Sequence, residues 1–235
     1  MKAIFKRELR SYFTTPIGFV YLAIFLAVNG LLFSIATILA GASSYVQNYF
    51  SYLLLSFVLL IPILTMKVFA EERKTKTEQL LLTAPVSLFS IVAGKFLAAF
   101  AVFATGILAS CLNFFILFEY GSAPVSILIG SVIIVLLIGG ACISVGVFVS
   151  SLTENQFVSC IVTMAILLAL VGTSLIEAAV SATWLKYILS WVSIISRFTN
   201  FTYGIFDVPA VIYYISLSSI FVFLTVRVLE KRRWN

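Results

Sequence analysis

Six long apolar stretches, at residues 17–40, 49–66, 96–118, 125–151, 155–176 and 208–226, hold no charged residue, and the charges of the chain fall in the gaps between them. Each is about 18 residues or longer, and a helix needs roughly 20 apolar residues to cross the hydrocarbon core of a bilayer. A chain in lipid has to satisfy its backbone hydrogen bonds internally, so each stretch predicts a helix. Phe, Ile, Leu, Val and Ala dominate, without the alternation of apolar and polar positions that marks a barrel strand. The expected fold class is therefore all-α integral membrane, with six transmembrane helices. At 62% hydrophobic and 10% charged residues, the spans use most of the chain, and residues 1–235 read as a single transmembrane domain. A separate nucleotide-binding domain has no room, and no Gly-rich phosphate loop occurs.

The formal charge of +6 does not point to nucleic acid, because the basic residues sit beside the spans, where they set orientation and meet anionic membrane lipid. One side of the membrane receives Lys2, Lys6, Arg7, Arg10, Lys67, Arg73, Lys74, Lys76, Lys95, Arg227, Lys231, Arg232 and Arg233; the other receives Lys186 and Arg197. The positive-inside rule then places both termini in the cytoplasm of a multi-pass protein. Histidine is absent, which removes His-based acid–base catalysis and His metal ligands. Cys111, Cys142 and Cys160 all lie within spans, form no CxxC, and read as small packing residues. Residues 1–15 do not resemble a cleavable signal, since the apolar run after them is longer than a signal core and no small-residue cleavage site follows.

The same 1–15 segment has Ile4, Phe5, Leu9, Tyr12 and Phe13 near helical spacing, with Lys2, Lys6, Arg7 and Arg10 between them. That pattern predicts an amphipathic helix lying in the inner interface. On the outer side, 41–48 and 119–124 are short connections. The longer connection 177–207 carries Trp184, Tyr187, Trp191, Phe198, Phe201 and Phe206, and is expected to dip into the outer leaflet or cap the bundle. Gly94 with Ala98, and Gly140 with Ser144, have the small-xxx-small spacing that lets helices approach closely.

The informative polar stretch runs from Lys67 to Pro85. Its first part extends the second span. Thr77 can cap a second short helix, and Thr75 with Glu78 fits a capping box. Leu80, Leu81 and Leu82 would bury against the bundle, and Pro85 would end the helix. Such a helix, joined rigidly to two spans, can transmit motion from a soluble partner. Glu71 and Glu72 have opposite charge to Lys6, Arg7 and Arg10, and both groups belong at the inner interface, so a salt bridge between them is expected. The pair Glu71-Glu72 also resembles the glutamates of intramembrane prenyl-protein proteases, but those enzymes need histidines.

The chain resembles the type-2 ABC transporter permeases. The residues that carry the likeness are Phe69-Ala70-Glu71-Glu72-Arg73, the run from Thr77-Glu78-Gln79 through Ala84-Pro85-Val86-Ser87, the pair Gly94-Lys95, and Ser150-Ser151-Leu152-Thr153-Glu154-Asn155-Gln156. With Leu229-Glu230-Lys231-Arg232-Arg233-Trp234, it is most similar to the bacterial permeases of the gliding-motility type and then the nitrous-oxide-reductase-maturation type. Relatives often carry Gly where Lys76 stands. The resemblance implies the type-2 exporter fold, with six spans, an interfacial helix before the first and a coupling segment at 70–87. ATPase-coupling positions would be Glu71, Glu72, Arg73, Lys74, Thr75, Lys76, Thr77, Glu78, Leu81, Leu82 and Pro85. It further implies a bacterial inner-membrane location and a second permease subunit, identical or not. Cytoplasmic ABC ATPase subunits on separate chains would bind the ATP and Mg, with no cofactor and no catalytic residue on this one.

Within the spans, Asn29 and Asn113 can bridge helices or touch a substrate, and Pro62 is expected to kink the second span; all three are pathway candidates. Lys95 is expected to snorkel to the inner face. Glu119, Glu177, Arg197 and Asp207 read as outer-end charges. Spans without a ring of charges disfavour a small-ion pump and favour an apolar, amphipathic or lipid-linked cargo. The alternative is a mechanotransmitting scaffold that drives an extracytoplasmic or lipoprotein partner and moves no cargo.

Overall fold

A computed structural model describes residues 1–38, 46–79, 86–115, 125–179 and 207–234, together with residues 184, 193 and 198. The elements are α1 (Lys2–Thr14), α2 (Pro16–Phe33, continued by a π turn at Ser34–Ile38), α3 (Val46–Thr65), α4 (Ala70–Lys74), α5 (Leu88–Ser110), α6 (Val125–Leu152), α7 (Gln156–Ala179) and α8 (Val208–Trp234). Among the described residues there is no strand, and six helices (α2, α3, α5, α6, α7 and α8) are long and apolar enough to cross a membrane.

Local chemistry sets the boundaries. Pro16 has no N–H with which to continue the α1 ladder, so the chain breaks at Thr15, whose backbone is extended (φ −93°, ψ 151°), and α2 starts with proline in its first turn. A side chain at Gly18 would sit on the Tyr12 carbonyl, so this tight corner requires glycine. Ser87 caps α5 by accepting from the Ser90 N–H at 3.3 Å. α3 runs through Pro62, which is buried, and ends three residues later at Thr65.

The core lies between α3, α5 and α6. α6 is the most enclosed span, with 72% of its apolar stretch buried, against 17% for α7 and for α8 and 28% for α2. Outward faces of the last three therefore meet lipid or another subunit. Aromatic edges fill the centre: Phe103 of α5 meets Phe25 at 5.9 Å and Phe57 at 5.1 Å between ring centroids. A side chain at Gly139 would overlap the Phe103 ring, and one at Gly146 would overlap Thr65, so small residues let α6 close on α5 and α3. At the far end Phe33, Tyr49, Phe50 and Phe114 form a second aromatic group. From the connection 177–207, Phe198 is buried in the core and Trp184 is exposed; most of the rest, with Arg197, lies outside the described residues, as does Glu119.

Candidate functional site at the charged end of the bundle

α1, the 66–79 segment, the 153–155 turn and the end of α8 gather at one end of the bundle. Direct side-chain contacts join them.

At the centre lies Lys95, in the second turn of α5 and 1% exposed. Its ammonium sits 2.9 Å from Glu72 of α4 and 3.5 Å from Glu8 of α1, and donates to the Val68 carbonyl at 2.8 Å. The Phe69 ring lies beside it, with its centroid at 5.1 Å. Arg7 of α1 contacts both carboxylates, Glu8 at 2.5 Å and Glu72 at 3.2 Å. Two cations thus meet two carboxylates, and the cluster, buried at Lys95 and open at Arg7, is formally neutral. The hydrogen bond that Arg7 donates to Glu8, aided by the negative field of Glu8 and Glu72, raises the pKa of Arg7 against the opposing effect of burial. One oxygen of Glu72, Oε2, is buried without a partner.

The expectation that Lys95 snorkels to the inner face is corrected by this geometry. Its ammonium stays inside because α1 and α4 bring carboxylates to it, and a satisfied buried charge has no need to reach the headgroups. Gly94 makes the approach feasible: a Cβ there would meet Ile4 of α1 at 3.0 Å. Of the cations expected to face Glu71 and Glu72, Arg7 reaches Glu72, whereas Lys6 and Arg10 are exposed and make no ion pair among the described residues. Glu71 is half exposed and lies 4.0 Å from Lys67 on its own side of the segment.

The break between α3 and α4 is joined by one hydroxyl. Ser150 of α6 accepts from the Phe69 and Ala70 N–H groups at 3.1 and 3.2 Å and donates to the Met66 carbonyl at 3.2 Å. That uses the whole capacity of a serine hydroxyl, two lone pairs and one proton. It satisfies three backbone groups left over by the helix break.

Two arginines close the other side. Arg73 donates to the Leu152 carbonyl at 2.9 Å and pairs with Glu154 at 3.0 Å. Arg232 of α8 pairs with Glu78 at 3.1 Å and donates to the Ser151 carbonyl. Ser151 and Leu152 are the last residues of α6, whose terminal carbonyls have no intrahelical donor and carry the negative end of the helix dipole.

The coupling positions therefore divide. Glu72, Arg73 and Glu78 point inward and are held; Glu71, Lys74, Thr75, Lys76 and Thr77 are exposed. Leu81, Leu82 and Pro85 lie outside the described residues. The expected Thr75–Glu78 capping box is not formed. Thr75 instead ends α4, donating to the Glu71 carbonyl at 2.9 Å, while Glu78 is drawn to Arg232. Lys76 takes a left-handed backbone, φ 59°, the conformation that suits the glycine expected at this position in relatives.

A cavity of about 750 Å³ opens beside the cluster, between α1 and the 67–77 stretch, lined by Arg7, Glu8, Tyr12, Lys67, Glu71 and Lys95 among others. The Tyr12 hydroxyl donates to the Leu64 carbonyl at 3.4 Å, and burial, reinforced by Glu8 and Glu71, pushes its pKa up. Inside the bundle, voids between α3, α6 and α7 and between α3, α5 and α6 hold about 10 Å³ each, the lower limit for one water. Asn29 is fully buried, its amide donating to the Phe25 carbonyl at 2.7 Å while its own carbonyl oxygen has no partner. Neither Asn29 nor Pro62 lines these voids. Asn113 follows the turn after Ser110, within the span Leu88–Phe115, and lines neither void.

Sequence reasoning missed Glu8, Glu154 and Arg232 as site residues, and saw Ser150 and Lys95 without their roles. One signal was available: Glu8 is the sole acid in a strongly basic amphipathic helix.

No curated protein matches the chain. The model of a family described as "ABC-2 family transporter protein" matches residues 12–229, nearly the whole length, leaving out most of α1 and the last residues of α8. That family is one of membrane permease subunits, and membership implies partnership with ABC ATPase subunits. The chain belongs to the ABC-2 transporter family, as a multi-pass, all-helical permease subunit.

Proposed function

We propose that this permease subunit couples ATP hydrolysis on a separate cytoplasmic ABC ATPase to export of an apolar, amphipathic or lipid-linked substrate. The observation that carries this reading is the divided segment at 70–79. Its outer face offers Glu71, Lys74, Thr75, Lys76 and Thr77 to a partner. Its inner face is anchored, through Glu72, Arg73 and Glu78, to helices α1, α5 and α8 and to the turn after α6. A push on the outer face is thereby delivered to much of the bundle. In this reading the charged end faces the cytoplasm of a bacterial inner membrane, with both termini there. The substrate passes between this chain and a second permease subunit, along faces that one chain leaves uncovered on α2 and α7. The subgroup that fits is the gliding-motility or nitrous-oxide-reductase-maturation type, on the residues of the 69–87 run and the C-terminal Leu229–Trp234.

A second reading is a mechanotransmitter that drives an extracytoplasmic or lipoprotein partner and translocates nothing. The first test is co-expression with ABC ATPase subunits of the same genome, co-purification in lipid nanodiscs, and ATP hydrolysis. The wild-type chain should retain an ATPase, and Lys74→Glu with Lys76→Glu on the exposed face should release it while the bundle stays folded. Retention of no ATPase contradicts both readings. Retention with lipid-analogue transport in proteoliposomes selects the first; retention without it selects the second.

A further inference from the structure

We propose that Arg232, at the cytoplasmic end of the last span, is a positioning residue for the coupling segment, acting through Glu78. The proposal rests on the ATPase-coupling reading of that segment and extends the site to a helix to which the resemblance assigned no part in it.

The geometry has three parts. First, Arg232 is bifunctional. One nitrogen of its guanidinium pairs with Glu78 at 3.1 Å and another donates to the Ser151 carbonyl. A planar fork with fixed donors can hold both acceptors at once, which a lysine ammonium on a flexible stem does less well. Second, the contact is sheltered: the side chains of Arg232 and Glu78 are 24% and 13% exposed, so the pair is screened less than a surface pair. The neighbouring cations of α8 differ. Arg227 is 61% exposed and, among the described residues, pairs only within its own helix, with Glu230. Third, Glu78 opens the helical turn at 78–79 that leads into the 80–85 stretch, while Lys76 just before it turns the chain through a left-handed backbone. Arg232 therefore ties the chain two residues beyond that turn, where it leaves the exposed tip.

The anchor point strengthens the case. Ser151 lies in the last turn of α6, the most enclosed span, and Arg73 grips the adjacent Leu152 carbonyl from the near side of the same segment. The exposed tip, Lys74 to Thr77, is thus slung between two arginine contacts to one helix end. Glu78 is accordingly an internal tie and not a contact offered to the ATPase.

The test compares Arg232→Gln, Glu78→Gln, their double variant, Arg232→Lys, and the control Arg227→Gln. Each is measured in nanodiscs for affinity toward the ABC ATPase subunit that co-purifies with the wild-type chain, and for thermal unfolding. Arg232→Gln is expected to weaken ATPase binding about tenfold, equivalent to about 1.4 kcal/mol. Glu78→Gln should do the same, and the double variant should be no worse than either, because both break one tie. Arg232→Lys should fall between, and Arg227→Gln should match wild type. Equal affinity in all variants, or additive losses in the double, overturns the proposal while the coupling reading stands. A variant that does not fold is replaced in the comparison by Arg232→Lys with Glu78→Asp, which keep the charges and lengthen the gap. Loss of melting temperature without loss of affinity assigns Arg232 a structural role only and also overturns it. If the wild-type chain captures no ATPase, the coupling reading falls first and this proposal with it.

Discussion

Lys95 is a fully buried cation that donates to one backbone carbonyl and pairs with two carboxylates. Such a group is costly to strand. Removing one member of a buried charge cluster typically destabilises by about 3–5 kcal/mol, whereas replacing the partners together is far milder. Lys95→Met should therefore lower stability by about 3 kcal/mol, and adding Glu72→Gln should recover part of the loss. Chemical unfolding of the four-member cycle in detergent checks this, and strictly additive effects would show that the two groups are not coupled. Ser150 is the neutral counterpart. Ser150→Ala leaves the Phe69 and Ala70 N–H groups and the Met66 carbonyl without their common partner, and should cost about 2–3 kcal/mol. Hydrogen exchange at Phe69 and Ala70 should rise with it; unchanged protection would mean that another group supports the break. Single residues of this kind were only half legible. The sequence shows that Lys95 lies at a span end, but nothing in spacing or periodicity tells which carboxylate, 23 residues before it or 87, will meet it.

At the scale of elements the sequence was far more informative. The stretches 155–176 and 208–226 lie within helices Gln156–Ala179 and Val208–Trp234, save for residue 155, because the need to satisfy the backbone in lipid leaves the chain no alternative to helix. The amphipathic pattern of 1–15 likewise became α1. Failure came where a local rule competed with a distant contact. The capping signal of Thr75 and Glu78 was sound locally, yet Arg232, 154 residues away, took Glu78. The seat of α1 rests on an absent side chain. Gly94→Leu should push α1 off α5 and cost about 1–3 kcal/mol by overpacking, since even a Cβ reaches Ile4 at 3.0 Å. Spin labels on the exposed Arg10 and Lys74 should report a longer or broader distance in that variant, and an unchanged distribution would place the seat elsewhere.

For the whole molecule, the ion pairs described above lie at one end of the bundle, whereas the far end described carries an aromatic group. The orientation that follows from the basic residues predicts that a membrane-impermeant maleimide labels Lys76→Cys in inside-out vesicles and not in intact cells. Labelling in intact cells would invert the topology and remove the ATPase from reach of the segment. The native thiols lie within spans, so they add little background. The bundle is also divided by burial: α3, α5 and α6 form an enclosed core, and α2, α7 and α8 lie outside it.

The helix break at residues 66–69 bears on how this core can move. An interruption in a helix ordinarily adds a degree of freedom, because the backbone groups released there turn to water in many geometries. Here all three groups named above close on the single hydroxyl of Ser150. Flexing that corner without rotating α6 would tear three hydrogen bonds at once. The corner therefore resembles a keyed shaft: torque applied at α4 would turn α3 and α6 together, and in the coupling reading proposed above stiffness at this joint, not pliancy, would set how far a stroke at the segment is felt within the membrane.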